Sequence, residues 1–163
     1  MKHSAGILAY RRSNNSVEVL LVHPGGPFWA KKDLKAWSLP KGEFSEDEEP
    51  LQAAKREFGE ELGLKAPEGT YFDIGTIKIP SKIIYGWAVE SDLDVSTIKS
   101  NQITIEWPPK TGQKQQFPEV DKAQWFEISK AGPKMHTAQD EFLQRLAEHL
   151  GLKLEKPEQP SLF

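Results

Sequence analysis

The sequence contains no cysteine, which excludes disulfide bonds, thiolate metal sites and cysteine nucleophiles. It also lacks any apolar run near the ~18 residues that a membrane-spanning helix needs, and residues 1–6 lack the apolar core of a signal peptide. Positive charge is not in excess, because the sequence has 21 Lys and Arg residues and 24 Asp and Glu residues. We therefore expect a cytoplasmic protein with no membrane partner and no stable nucleic-acid complex.

The composition is that of an ordinary globular domain. Of the 163 residues, 37% are hydrophobic and 28% are charged, which is enough apolar material for one core. We expect a single domain over residues 1–153, either as a monomer or as a homodimer. Residues 154–163 contain two prolines and little periodicity, and they predict a mobile C-terminal tail.

The order of apolar patterns predicts the fold class. Stretches typical of strands occur at 5–12, 17–23, 71–79, 82–89, 102–107 and 123–128. Helical periodicity covers residues 50–62 and 138–150. Pro50 suits a first helical position, and Gly63 suits the position after the last. Strands, helix, strands and helix in this order predict an α+β fold, an αβα sandwich around a mixed sheet.

A polar segment and an internal glycine lead to two further predictions. Residues 107–118 are polar and predict a mobile surface loop, with closure over a phosphate chain as the alternative. Gly59 lies inside the first predicted helix, where glycine lowers helix stability.

Three carboxylates on the first predicted helix form the most informative cluster. Glu57, Glu60 and Glu61 are spaced at i, i+3 and i+4, so they project from one helix face. Crowded carboxylates repel one another unless they are solvated, paired with cations or bound to a metal. Oxygen ligands favour Mg²⁺ or Mn²⁺ over zinc. By themselves these residues are more typical of a solvated acidic surface than of a metal site.

The spacing around this cluster is more specific. Gly42 is followed by five residues and Glu48, then by seven residues and the run Arg56-Glu57-Phe58-Gly59-Glu60-Glu61-Leu62-Gly63-Leu64. This pattern resembles the Nudix box, G-x5-E-x7-R-E-U-x-E-E-x-G-U with U a bulky apolar residue, at every specified position. The chain is therefore similar to the Nudix hydrolases. A looser similarity to bacterial predicted NTP pyrophosphohydrolases of this superfamily rests on residues 22–29, 37–44 and 117–121.

The resemblance implies the Nudix fold and a loop–helix–loop that holds divalent cations against a diphosphate. The implied metal ligands are one backbone carbonyl and three carboxylates: Gly42, Glu57, Glu60 and Glu61. Glu57 would also orient or deprotonate the attacking water. Arg56 would hold Glu57 in place through a charge-assisted hydrogen bond, and Glu48 would be an outer carboxylate near the cations.

Residues outside the box have two interpretations each. Lys41 is either a phosphate contact or a solvated lysine. Glu119 is either an additional metal ligand or general base, or an ordinary loop carboxylate; Asp121 and Glu106 are weaker candidates for the same role. Trp29 is either a base-stacking residue of the cleft or an anchor of its Gly/Pro-rich loop.

The resemblance predicts a pyrophosphohydrolase that uses Mg²⁺ or Mn²⁺ and cleaves a nucleoside diphosphate derivative by attack of water on phosphorus. We favour a nucleoside triphosphate or a dinucleoside polyphosphate as the substrate. ADP-ribose or a nucleotide sugar is the alternative, and a non-catalytic nucleotide-binding module is a third. The box contacts phosphates, so it does not separate these substrates.

Overall fold

The computed structural model describes residues 1–136 and 138–154. Almost all of the predicted tail, residues 155–163, lies outside the described residues. The strands are β1 (Lys2–Ser13), β2 (Ser16–Pro24), β3 (Lys41–Phe44), β4 (Phe72–Ile79), β5 (Lys82–Glu90), β6 (Gln102–Glu106), β7 (Lys114–Pro118) and β8 (Val120–Glu127). The helices are α1 (Pro50–Leu62), α2 (Ile128–Ala131) and α3 (Asp140–His149), with a 3₁₀ turn at Gly132–Lys134.

The main sheet is mixed, as the sequence predicts. Its order is β4-β5-β1-β2-β8, and β1 runs parallel to β5 and antiparallel to β2. Strand β1 changes partner along its length, since residues 10–13 pair with β2 and residues 3–6 pair with β3. Its middle residues Ile7, Leu8 and Ala9 have no exposed surface, which fits a strand covered on both faces. This exchange of partners brings β3 and the start of the Nudix-like segment against the centre of the sheet.

A helix covers each face of the sheet, which confirms the αβα sandwich. Helix α1 packs one core through Ala53, Ala54, Phe58 and Leu62. Helix α3 packs the opposite core through Phe142, Leu143 and Leu146. In the described part of the chain, no helix is long and apolar enough to cross a membrane.

The ends of α1 are those predicted from the sequence. The helix begins at Pro50 and ends at Leu62, and Gly63 has the left-handed φ of 66° typical of a helix cap. The Gly63 N–H donates to the Gly59 carbonyl at 2.7 Å. Gly59 itself has room around it, because a β-carbon there would meet only the Leu64 carbonyl oxygen, at 3.7 Å.

The expectation of a mobile loop over residues 107–118 is wrong. Strand β7 occupies Lys114–Pro118 and pairs antiparallel with β6, with Phe117 opposite Ile103. This hairpin is separate from the main sheet and its residues are exposed or only partly buried. The sequence of β7 therefore does not show the apolar alternation of a covered strand. The predicted second helix is also shorter at its start, since α3 begins at Asp140.

Candidate active site

A cleft of about 240 Å³ collects charged residues from distant parts of the chain. Lys41 of β3, Glu61 of α1, Lys82 of β5 and Glu119 of the β7–β8 connection all line it. The remaining lining includes Trp29, Ser38, His136 and Gln139. The structure thus brings the predicted residues Lys41, Glu61, Glu119 and Trp29 to one cleft.

The other predicted acidic residues gather around Arg56. Its guanidinium donates to both carboxylate oxygens of Glu48 at 2.8 and 2.9 Å, to Glu57 at 2.8 Å and to Glu60 at 3.1 Å. The hydrogen bond to Glu48 is the main cause that raises the pKa of Arg56, and the same bond lowers the pKa of Glu48. Arg56 therefore ties the loop before α1 to two carboxylates on the helix.

Glu57 lies against the backbone of β3. A β-carbon on Gly42 would be 2.0 Å from the Glu57 carboxyl carbon, so no larger residue fits there while Glu57 keeps its position. Burial raises the pKa of Glu57; the hydrogen bond from Arg56 opposes this effect, and Glu60 and Glu119 add to it. The carboxylate is thus held next to the Gly42 backbone in a site that disfavours its negative charge.

Glu61 is the most perturbed carboxylate of the cleft. It is 6% exposed and accepts a hydrogen bond from the Lys41 backbone N–H at 3.2 Å. Burial, followed by the nearby charge of Glu119, raises the pKa of Glu61 to about 8. Lys41 offsets part of this effect. Burial also lowers the pKa of Lys41, and the ammonium group of Lys82 lowers it further.

A chain of backbone hydrogen bonds fixes Glu119. The Gly25 N–H donates to the Glu119 carbonyl at 2.8 Å, and the Glu119 N–H donates to the Asn101 carbonyl at 2.9 Å. The Asn101 N–H in turn donates to the Glu60 carbonyl at 3.0 Å. These hydrogen bonds connect Glu119, through Asn101, to the C-terminal turn of α1. The approach is close at Gly25, where a β-carbon would lie 1.9 Å from the Pro118 carbonyl oxygen.

The weaker acidic candidates have other partners. Glu106 accepts a hydrogen bond from the Gly112 N–H at 3.1 Å in the β6–β7 turn. Asp121 Oδ1 lies 2.9 Å from Nδ1 of the buried His23, whose Nε2 lies 2.6 Å from the Lys32 carbonyl oxygen. Both carboxylates therefore serve local structure in this arrangement.

The carboxylates of the site have the chemistry that a divalent cation requires, although their oxygen atoms do not converge on a single point. Glu57 and Glu61 are buried with raised pKa values, and the charge of Glu119 contributes to both shifts, so a cation would relieve the repulsion. All-oxygen donors suit Mg²⁺ and Mn²⁺. Within residues 1–136 and 138–154, no three His, Asp or Glu side chains already converge as metal ligands. The carboxylates of Glu57 and Glu60 instead form ion pairs with Arg56.

Sequence reasoning missed several residues that shape the cleft. Lys82 opens β5, Gln139 precedes α3, and Gly25 and Asn101 position Glu119. None of them belongs to the spaced motif. The Pro-Gly-Gly-Pro turn around Gly25 was the one available signal, because such turns permit a close backbone approach.

Comparison with known proteins relates most of this chain to Nudix proteins. The family model described as NUDIX domain matches residues 2–146. An RNA pyrophosphohydrolase of Bartonella henselae is 29% identical over 147 residues, covering 74% of this chain and 78% of that protein. An RNA pyrophosphohydrolase of Hahella chejuensis is 36% identical over 76 residues, covering 42% of this chain and 47% of that protein.

Solved structures show the same fold. The binary complex of a C. elegans Ap4A hydrolase superposes with a TM-score of 0.63 at 20% identity, over 93% of this chain and 98% of that one. The NUDIX domain of Shewanella oneidensis NrtR, complexed with ADP ribose, superposes with a TM-score of 0.62 at 16% identity, over 91% and 87%. Nudix hydrolases generally need a divalent metal. The chain belongs to the Nudix family, and it is a Nudix hydrolase, a pyrophosphohydrolase of nucleotide derivatives.

Proposed function

We propose that this enzyme hydrolyses a diphosphate bond in a nucleoside triphosphate or a dinucleoside polyphosphate, with Mg²⁺ or Mn²⁺ as the cofactor. One observation carries the proposal: the buried carboxylate of Glu61 shares a cleft with Glu119 and with the partly buried Lys41. The cleft therefore combines carboxylates that can bind a cation with an ammonium group that can bind a phosphate. A metal-dependent attack of water on a phosphate anhydride requires both kinds of group.

The proposed cation ligands are the Gly42 carbonyl and the carboxylates of Glu57, Glu60 and Glu61. When bound, a divalent cation neutralises phosphate oxygens and lowers the pKa of water. Arg56 holds the Glu57 and Glu60 carboxylates through ion pairs. Arg56, fixed by Glu48, is then a positioning residue, since it acts on the phosphate only through these carboxylates.

Glu119 is the proposed general base. Water attacks one phosphorus atom, and the bond from that phosphorus to the bridging oxygen breaks. One proton of the water passes to the Glu119 carboxylate, while the leaving phosphate keeps the electron pair of the broken bond. Glu57 is the alternative base, but its carboxylate bonds to Arg56 at 2.8 Å, whereas Glu119 lines the cleft and is held by its backbone.

Two other residues of the cleft suit the substrate. Lys41 is the proposed phosphate contact, and Trp29 is the proposed stacking surface for the base. ADP-ribose and nucleotide sugars remain the alternative substrates. The RNA pyrophosphohydrolase relatives favour a second candidate, the 5′-triphosphate end of RNA, which offers the same phosphate chain.

The test uses the full chain with ATP, GTP, diadenosine tetraphosphate, ADP-ribose, UDP-glucose and a 5′-triphosphorylated RNA oligonucleotide. Each is incubated with Mg²⁺, with Mn²⁺ and with chelator, and products are separated by ion-exchange chromatography. We expect chelator-sensitive hydrolysis of ATP or diadenosine tetraphosphate, with label from ¹⁸O-water on the attacked phosphate.

Matched variants connect that activity to the site. Glu57→Gln and Glu60→Gln should each lose more than ~100-fold in kcat/KM, because each removes a proposed cation ligand. Glu68→Gln is the control, since its side chain is 85% exposed and pairs only with Lys65. Unchanged rates in both ligand variants, or hydrolysis that ignores chelator, would refute the mechanism. Nucleotide binding without turnover would favour the non-catalytic module.

A further inference from the structure

A buried histidine connects the end of β2 to two other parts of the chain. His23 is the last residue but one of β2 and is 1% exposed. Its Nδ1 lies 2.9 Å from Oδ1 of Asp121, near the start of β8, and its Nε2 lies 2.6 Å from the carbonyl oxygen of Lys32. Both nitrogens of one imidazole ring therefore face an oxygen atom at hydrogen-bond distance.

Both of these oxygens are hydrogen-bond acceptors. A backbone carbonyl has no proton to donate, and neither has an ionised carboxylate. A neutral imidazole has one N–H and one lone pair, so it can donate to one of the two oxygens and must turn its lone pair toward the other. Both contacts are hydrogen bonds when His23 carries a proton on each nitrogen, as an imidazolium beside the Asp121 carboxylate.

The other charged groups near His23 have partners of their own. The elements packed around this histidine carry the titratable side chains of Lys32, Asp33, Asp121, Lys122, Lys134 and His136. Asp33 accepts a hydrogen bond from Trp37 Nε1 at 2.9 Å and pairs with Lys134. The Lys122 ammonium lies 5.4 Å from the centroid of the Trp37 ring, whose edge packs on the His23 ring. Within residues 1–136 and 138–154, Asp121 is thus the one charged group that bonds to the imidazole.

The contact with Lys32 holds the Trp29 loop, residues 25–35. The Lys32 N–H donates to the Trp29 carbonyl at 2.9 Å, and the Lys32 carbonyl faces His23. The Lys32 ammonium lies 3.7 Å from the centroid of the Phe28 ring and 5.0 Å from that of Trp29. Trp29 lines the cleft, whereas residues 30–35 are exposed. Because so little of this loop is buried, its conformation depends on a few anchoring contacts, and His23 supplies one from inside the fold.

We propose that His23 is a positioning residue for substrate binding, which holds Lys32 while its ring is doubly protonated and thereby places Trp29 against the substrate. The inference rests on the proposed function, because it takes Trp29 as the stacking surface for the base. When the ring loses a proton, one nitrogen turns a lone pair toward an oxygen, and the loop is released. The anchor is therefore present at low pH and is lost as pH rises. Because His23 contacts none of the proposed cation ligands, its loss raises KM more than it lowers kcat.

The kinetic test uses the nucleotide of the panel above that gives the highest kcat/KM. At about pH 6, His23→Gln should raise KM at least ~10-fold, as for loss of a hydrogen bond from a charged group, and should change kcat less than ~3-fold. Because the effect passes through Trp29, adding His23→Gln to Trp29→Ala should raise KM little further. An unchanged KM in His23→Gln, or fully multiplied KM increases in the double variant, would overturn the inference.

His149→Gln is the control for the substitution itself. His149 stacks on Phe72 at the end of α3 and does not line the cleft. Its variant should keep the KM of the unsubstituted enzyme, and an equal rise in KM there would contradict a specific role of His23.

Asp121→Asn separates the role of the proton from the role of packing. An asparagine amide donates to Nδ1, so a neutral His23 ring can donate from Nε2 to Lys32, and both hydrogen bonds form without a second proton. From about pH 6 to about pH 9, KM should rise at least ~10-fold in the unsubstituted enzyme and less than ~3-fold in Asp121→Asn. An equal rise in both proteins would show that another group causes it and would refute the inference.

Two measurements without substrate distinguish failure of this inference from failure of the proposed function. Hydrogen exchange of peptide 28–36, compared at one pH, should be at least ~10-fold faster in His23→Gln than in the unsubstituted chain, and unchanged in His149→Gln. Nitrogen-15 spectra of histidine-labelled protein should show both ring nitrogens of His23 protonated at about pH 6.

Each result has one interpretation. Unchanged exchange in His23→Gln, or an unprotonated ring nitrogen of His23 at about pH 6, would overturn the inference, while chelator-sensitive hydrolysis would still support the proposed function. Faster exchange in His23→Gln together with hydrolysis that ignores chelator would overturn the proposed function and leave His23 as the anchor of the Trp29 loop.

Discussion

The carboxyl carbon of Glu57 lies 2.0 Å from the point that a β-carbon on Gly42 would occupy. Real β-carbons do not approach other atoms this closely, so the Glu57 carboxylate can keep its position against β3 only when residue 42 is glycine. The first glycine of the motif is therefore explained by contact with its central glutamate, and not by a turn.

Gly42→Ala should abolish most of the activity. The added methyl group would displace the Glu57 carboxylate from β3, and we expect a loss of more than ~100-fold in kcat/KM together with weaker Mn²⁺ binding. Calorimetric titration with Mn²⁺ and steady-state kinetics check this. Gly132→Ala is the control, since a β-carbon there meets nothing within 4 Å. Normal Mn²⁺ affinity in Gly42→Ala would contradict the packing argument.

Glu61→Gln should stabilise the metal-free protein at alkaline pH. The pKa of Glu61 is about 8 in the folded chain against an ordinary 4.5, so the folded state binds this proton more tightly than the unfolded state. The contribution of Glu61 to the free energy of unfolding is therefore largest below pH 4.5, falls as pH rises from 4.5 to about 8, and is lost above that pH.

Glutamine carries no charge and avoids this loss. In chelator at about pH 9, we expect Glu61→Gln to raise the Tm by at least ~2 °C, with the gap closing near pH 5. Differential scanning calorimetry across this range measures it. Glu60→Gln is the control. The Glu60 side chain is 45% exposed, so this substitution does not remove a buried charge. A pH-independent gap would show that the stabilisation has another cause.

Gly25→Ala should impair catalysis through Glu119. Its methyl group would overlap the Pro118 carbonyl oxygen and break the hydrogen bond from residue 25 to Glu119. We expect kcat to fall at least ~10-fold. Because the effect acts through Glu119, Gly25→Ala combined with Glu119→Gln should be little worse than Glu119→Gln alone. If the losses in kcat of the two single variants multiply in the double variant, Gly25 does not act through Glu119.

Gly59→Ala should make the protein more stable. A β-carbon at position 59 meets only the Leu64 carbonyl oxygen at an ordinary 3.7 Å, while alanine in a helix interior gains ~0.5–1 kcal/mol over glycine. Thermal unfolding should show a Tm about 1–3 °C higher. A lower Tm would show a close contact that the described structure does not contain.

Helix α1 shows what could be predicted from sequence alone. Its bounds, its buried face and its αL cap at Gly63 depend on residues within a few turns of each other, so the pattern specifies them locally. The same locality places Glu57, Glu60 and Glu61 on one face. The polar strand β7 was missed for the opposite reason, since its partner β6 gives it a regular structure that its own composition does not favour.

The sheet covered on both faces, the acidic helix and the Nudix motif could be predicted from the sequence, because each depends on short-range spacing. The residues that complete the cleft come together only through the folding of the whole chain. Lys41 of β3 and Lys82 of β5 line one cleft, and both strands pair with β1; Glu119 is connected to the end of α1 through Asn101. The residues brought together in this way are far apart in the sequence. They follow from strand pairing and backbone hydrogen bonds across the fold, which no local pattern encodes.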